Sequence, residues 1–284
     1  MYSPSYVSLI LSILISTLSY ATPLGFDTKD LDAVELKALS TLLSQGACPC
    51  DAGKSILECV PDKACPSAKL LAEYGVQKFR DGLSALEVQQ AVVRKYIQDH
   101  VYYEFDVSKS PFKGSKSATV TVIEFADFQC GHCAKLARVM DQITTEMGQR
   151  IHFVFKQFPM TRHPLAHYAA RAALAAHQQN QFWGFHDLLF KHQLELSESM
   201  IDGFAEKLGL NLEKYAQDRE HPETYDQIQR DRKEAIAAGL RATPTLYING
   251  RSYTEAKSAD VLLKYLKETV GIEQGRRPRI KDSN

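Results

Sequence analysis

From Leu31 through Val34, Ala38 and Leu42 the apolar residues recur every three or four positions, the period of one helix face, and Gly46 ends the run. A second helix is predicted over about 67–80, closed by Asp81-Gly82. A third opens at Ser84-Ala85-Leu86-Glu87, where serine and glutamate can cap one another, and carries Val88, Val92 and Tyr96 on one face. Gly46–Pro66 holds four cysteines among Pro and Gly and reads as a stapled loop.

The period changes after Ser108–Ser115, a polar stretch with Pro111 and Gly114 that is expected to form a domain boundary. Ala118–Phe125 is β-branched and mostly apolar, as a strand buried on both faces should be. Leu136, Met140, Ile143 and Met147 then mark one stripe of a helix ended by Gly148, and Ile151–Phe155 makes a second strand. This is a strand–helix–strand unit. From His163 to about Gly239 the sequence is helical throughout, rich in Ala and aromatic residues. Thr245–Ile248 returns to strand, Asn249-Gly250 signals a two-residue hairpin, and Arg251–Thr254 pairs back. An amphipathic helix over Ala259–Val270 closes the pattern.

The expected fold class is therefore α/β. A domain over 109–272 carries a helical insertion at about 163–239. It follows a small all-helical, cysteine-bearing domain at 22–108 and precedes a basic tail at 273–284, read as a solvated, frayed end.

Composition narrows the setting. Lys plus Arg and Asp plus Glu number 34 each, a balance that argues against a nucleic-acid partner. Residues 1–21 read as an export signal: Val7–Leu18 is apolar, and Ser19-Tyr20-Ala21 offers small residues for cleavage. No Lys or Arg precedes the apolar block, so an uncleaved anchor is the alternative. All six cysteines lie beyond this signal, which fits an oxidising compartment such as the periplasm.

Cys130 and Cys133 stand apart from the other four, at the start of the first helix of the strand–helix–strand unit. The first turn of a helix leaves N–H groups unpaired and carries the positive end of the dipole, so a thiolate is favoured at Cys130, the expected exposed member. His132 adds a donor, Gly131 completes the Cys-Gly-His-Cys motif, and Cys133 is expected to be the buried resolving thiol. A stabilised thiolate makes the disulfide the better oxidant. Glu124 lies in the apolar strand six positions before Cys130, where a carboxylate is costly and its pKa should rise. It is read as the group that passes a proton to and from Cys133, against a partly hydrated strand-edge residue. Pro244, lacking a donor, suits the start of the next strand.

Other readings are blander. A metal site at Cys130 and Cys133 would need two further ligands. His163 and His167 are four apart, but Pro164 suits the first helical position and would leave His163 outside the helix as a cap. Phe182, Trp183 and Phe185 read as core of the insertion. Cys48, Cys50, Cys59 and Cys65 are candidates for two structural disulfides, with three connectivities open. Zinc binding and a redox relay are the alternatives.

Several segments in order resemble the DsbA-like branch of the thioredoxin superfamily, the exported thiol–disulfide oxidoreductases. They are Val122–Phe128 before the cysteine pair, Phe158-Pro159-Met160, His163-Pro164-Leu165-Ala166, Ala169–Ala173, Phe182-Trp183 with His186–Phe190, and Gly239 through Thr243-Pro244-Thr245 to Arg251. The resemblance runs from about Ala118 to Val270 and implies a thioredoxin fold. It also implies a cis Pro244 facing the cysteine pair and a Thr243 backbone that meets a bound substrate peptide. The activity implied is disulfide exchange with thiol-bearing protein substrates, as an oxidase reoxidised by a membrane partner. Reductase or isomerase chemistry of the same fold is the alternative, and no cofactor is expected. Cys-Gly-His-Cys is the version shared with protein disulfide isomerases, where DsbA-like enzymes commonly carry Pro after the first cysteine. Residues 48–101 faintly resemble the thiol-reductant subunit of cytochrome c maturation, but Cys-Pro-Cys replaces its Cys-Pro-x-Cys. Helical extensions of this kind can serve as homodimer arms. A copper-handling protein using Cys130 and Cys133 as soft ligands is the rival from another class.

Overall fold

The computed structural model describes residues 26–276, with side chains as far as Gly271; the expected leader and the last residues of the basic tail lie outside the described residues. These residues form two compact units, one ending at Val93 and the other starting at Arg94, whereas the polar break had suggested a boundary at 108.

The N-terminal unit contains α1 (Ala33–Gln45), the short α2 (Ile56–Cys59), α3 (Pro66–Arg80) and the first turns of α4 (Ala85–His100). Asp32 caps α1 by accepting from the Val34 and Glu35 N–H groups while Glu35 reaches back to the cap. Leu39 and Leu43 are buried, and Gly75 lets α3 come close: a Cβ there would meet Leu39 at 2.8 Å and Val92 at 3.3 Å. The stapled segment is not all loop, because Ser55 and Glu58 form a second capping box that nucleates α2.

The second unit is built on a five-stranded sheet in the order β1-β3-β2-β4-β5: β1 (Phe112–Gly114), β2 (Val120–Ala126), β3 (Ile151–Gln157), β4 (Thr245–Ile248) and β5 (Arg251–Tyr253). β2 and β3 are parallel, with Glu124 beside Phe155, and are joined through α5 (Gly131–Met147); the other pairs are antiparallel. Alternation along β2 sends Val120 and Val122 to a core shared with α5 and α11 (Ala259–Arg276). Ile123 and Phe125 point to the opposite core, with Tyr247 and the partly buried Tyr103 and Phe105. By the same alternation Glu124 faces the α5 side.

Four elements depart from expectation. β1 lies inside the stretch read as a polar break; it pairs with β3, and Gly114 (φ +82°) packs its backbone against Ile151 so closely that a Cβ would stand 2.0 Å from the carbonyl oxygen. Residues 94–107 join the second unit. The Tyr103 N–H donates to Gly250 O, Gln98 accepts from Thr254, and the Tyr103 ring meets Tyr247 edge-on while that of Phe105 packs against it at a tilt. The insertion comprises α6 (Ala166–His177), α7 (Phe182–Lys191), α8 (Glu198–Lys207), α9 (Leu212–Glu220) and α10 (Pro222–Ala237). Its first helix starts at Ala166, so Pro164 is not the first helical residue. Finally, α11 continues to Arg276, past Val270 and into the stretch read as a frayed tail. Among the described residues, no helix is long and apolar enough to cross a membrane.

Candidate active site

β2 delivers the chain to Asp127, whose buried carboxylate organises the following turn. Oδ1 accepts from the Gln129 N–H at 2.7 Å; Oδ2 accepts from the Met160 N–H at 2.7 Å and meets His163 Nδ1 at 2.7 Å. Gln129 in turn accepts from the Leu165 N–H at 2.6 Å, satisfying a donor just ahead of α6. These bonds hold residues 160–165 as a turn, which is why α6 starts late and why the His163 ring binds Asp127 instead of capping a helix.

Cys130 is the N-cap of α5, in extended conformation, which puts its side chain at the positive end of the helix dipole; the sulfur makes no cap bond there. Both cysteines are free thiols. Cys130 is the more accessible of the two, yet only 6% of its surface is open against 0% for Cys133, so the expected exposed thiol is nearly buried. Across the gap, the Thr243–Pro244 peptide bond is cis, and the Thr243 carbonyl accepts from Cys130 Sγ at 3.3 Å.

The two sulfurs titrate far apart. Donation from the Cys133 thiol, joined by the Cys133 and His132 backbone N–H groups, outweighs burial and pulls Cys130 down to about 4. The Thr243 hydroxyl is buried and has no partner of its own. The His132 backbone amide contributes to the Cys130 thiolate, and the residue itself is exposed. Burial, donation to Cys130 and the Glu124 charge push Cys133 far above the ordinary thiol range. Gly131 is exposed, and a Cβ there would meet only Gln193 at 3.9 Å.

Glu124 is 1% exposed, and neither carboxylate oxygen has a hydrogen-bond partner. Burial, then the Cys130 charge, raises it to about 8, with Lys257 pulling the other way. Burial lowers Lys257 in return. Lys257 also lines a cleft with His132, Lys135, Thr243 and Pro244, the last two carrying the cis bond beside Cys130.

Sequence reasoning missed three contributors. Gln193 donates to the carbonyls of Phe128 at 2.5 Å and Cys130 at 3.1 Å, fixing the turn from the helical insertion. Asp127 organises that turn, and Lys257 shares its charge with Glu124. Asp127 stood next to the motif and could have been flagged; Gln193 and Lys257 carry no local signal.

The N-terminal cysteines pair as Cys48–Cys59 and Cys50–Cys65. Among the described residues, the one group of three or more metal-type ligands brought together is Cys48, Cys59 and Cys65, all within these disulfides.

Residues 106–268 match the family model described as thioredoxin. Two curated relatives are sodium/proton antiporters. NhaA of Herminiimonas arsenicoxydans is 34% identical over 139 residues, 49% of this chain and 22% of that protein. NhaA 3 of Salinispora tropica is 32% identical over 179 residues, 61% of this chain and 27% of that protein. The chain thus spans about a quarter of the length of these relatives. Among solved structures, oxidised BdbD of Bacillus subtilis gives a TM-score of 0.54 at 21% identity, covering 60% of this chain and 98% of that one. The alpha-DsbA1 of Wolbachia pipientis also gives 0.54, at 19% identity, covering 60% and 96%. At these identities the likeness speaks to the fold. With the family match extending over more than half of the 284 residues, onto a sheet and cysteine-headed helix of this build, the chain belongs to the thioredoxin family and has a DsbA-like fold.

Proposed function

We propose that the chain is an exported thiol–disulfide oxidoreductase that oxidises protein thiols through Cys130 and Cys133. The observation that carries this reading is the Cys130 sulfur, held at the head of α5 with its pKa lowered to about 4. A thiolate stabilised in the reduced enzyme makes the disulfide easier to reduce, and hence a stronger oxidant.

In the forward direction a substrate thiolate attacks Cys130 Sγ of the disulfide. The Cys130–Cys133 bond breaks and a mixed disulfide forms, with Cys133 leaving as a thiolate. The high pKa of Cys133 means that this sulfur takes up a proton at once, and Glu124, protonated up to about pH 8, is the nearby acid that supplies it. A second substrate thiol then attacks the substrate sulfur of the mixed disulfide, releasing oxidised substrate and the Cys130 thiolate. Thr243 and Pro244 border the cleft beside Cys130, where an extended substrate segment can add main-chain bonds without sequence demands. A membrane partner that takes the electron pair completes the cycle, and the same steps reversed give a reductase.

The test is the reduction potential of the Cys130–Cys133 pair in glutathione buffers, together with a Cys133→Ser variant exposed to an oxidised, unfolded protein. A potential well above thioredoxin's roughly −270 mV, with a mixed disulfide trapped at Cys130, is expected. A potential near that of thioredoxin would contradict the oxidase direction, and failure to trap any mixed disulfide would contradict exchange itself.

A further inference from the structure

Four sulfurs crowd together in the N-terminal unit. Its two disulfides touch: Cys48 Sγ lies 3.8 Å from Cys65 Sγ, and the sulfurs of Cys48, Cys59 and Cys65 all lie within 4.8 Å of one another. Their exposure is uneven. Cys48, Cys59 and Cys65 are 3%, 2% and 1% exposed, whereas Cys50 is exposed. Each disulfide therefore differs in access: one has a sulfur-bearing residue at the surface, and the other has none.

The surrounding backbone keeps the sulfurs in register. Cys48 N–H donates to Lys54 O at 2.8 Å, Ile56 N–H to Gly46 O at 2.8 Å, and Cys65 N–H to Asp62 O at 3.0 Å. Cys65 is also the N-cap of the 15-residue α3 and makes no side-chain cap bond there. A thiolate released at Cys65 would lie at the positive dipole end of that helix, which makes it a good leaving group.

We propose that these two disulfides form one thiol–disulfide exchange site, entered at Cys50, and that an accessible dithiol is its reductant. The dithiol's first thiolate attacks Cys50 Sγ. That bond forms, Cys50–Cys65 breaks, and Cys65 leaves as a thiolate. Cys65 then attacks Cys48 Sγ at contact distance. Cys48–Cys65 forms, Cys48–Cys59 breaks, and Cys59 is released. The dithiol's second thiol resolves its mixed disulfide and frees Cys50. In sum, one dithiol is oxidised to a disulfide and two protein thiols, Cys50 and Cys59, are gained, with the electron pair moved from the surface to the interior. None of these three steps uses Cys130 or Cys133, so the proposal stands apart from the oxidase reading.

The experiment uses the full chain carrying Cys130→Ser and Cys133→Ser, so that every titrating sulfur belongs to this site. Limiting dithiothreitol is added under native conditions, the reaction is quenched with acid, and thiols are alkylated and mapped by peptide mass spectrometry. The expected product carries label on Cys50 and Cys59 with a new Cys48–Cys65 linkage. Label on Cys50 and Cys65 with Cys48–Cys59 intact would overturn the proposal, as would simultaneous opening of both disulfides or resistance of both. Adding Cys50→Ser gives a second readout with no reductant. The odd thiol should then distribute between Cys65 and Cys59, and label confined to Cys65 would contradict exchange between the disulfides.

Discussion

A single buried carboxylate decides much of the behaviour expected at the site. Glu124 keeps its proton in the folded chain up to about pH 8, whereas in the unfolded chain it loses the proton near its ordinary value of 4.5. Its folded-state pKa is raised, so its contribution is fully present below the unfolded value and is lost as pH rises through about 8. Glu124→Gln removes that dependence. Denaturant titrations should show the variant gaining stability over the parent progressively between pH 5 and pH 8, while disulfide exchange slows because Cys133 loses its proton source. Equal stability of the two proteins across that range would contradict the buried, raised acid. Both cysteines and Glu124 were legible in the sequence, because a CxxC ahead of a helix stripe and a carboxylate in an apolar strand each break the local pattern. Lys257 was not: it lies in an ordinary polar turn, and only the fold brings its charge to Glu124. That Cys130 is nearly buried was equally hidden, since Thr243 covers it from a segment more than a hundred residues away.

At the scale of elements, the site depends on loops being held by side chains from elsewhere in the fold. Gln193, from the residues just after α7, is the donor for two carbonyls of the cysteine turn. Gln193→Ala leaves both without that partner. Chemical denaturation should show a loss of about 1–2 kcal/mol, accompanied by slower mixed-disulfide formation at Cys130. No change in either would mean that the turn does not rely on this bond. A second tie joins α10 to β3: Lys156, 1% exposed, contacts Asp231 at 3.1 Å and also bonds Glu234 and the Asp106 carbonyl. Burial, opposed by the Lys156 charge, holds Asp231 at about 6. Lys156→Met should cost about 3–5 kcal/mol, because a buried carboxylate loses its counter-charge. The loss should be smaller at pH 5, where Asp231 takes up a proton, than at pH 8. A loss independent of pH would point to packing alone. The long helices and the β2–α5–β3 unit were readable from their periods. β1 was not, being three residues of edge strand inside a polar stretch and recognisable only by its pairing with β3. The late start of α6 was likewise invisible, since Asp127 and Gln129 impose it from the other side of the site.

As a whole molecule, the chain joins a disulfide-bearing helical unit to a thioredoxin-family unit, and neither unit was misjudged in class. The boundary between them could not be read from polarity, because residues 94–107 look like a helix end and linker and yet pack on the second unit's sheet through Tyr103 and Phe105. The function proposed for the molecule comes down to the charge on Cys130 in its reduced form. The most direct measurement is the ultraviolet thiolate absorbance of the reduced chain across pH, with the Cys130→Ser protein subtracted. A midpoint near pH 4 is the predicted result. A midpoint near 8.5, that of an ordinary cysteine, would contradict it.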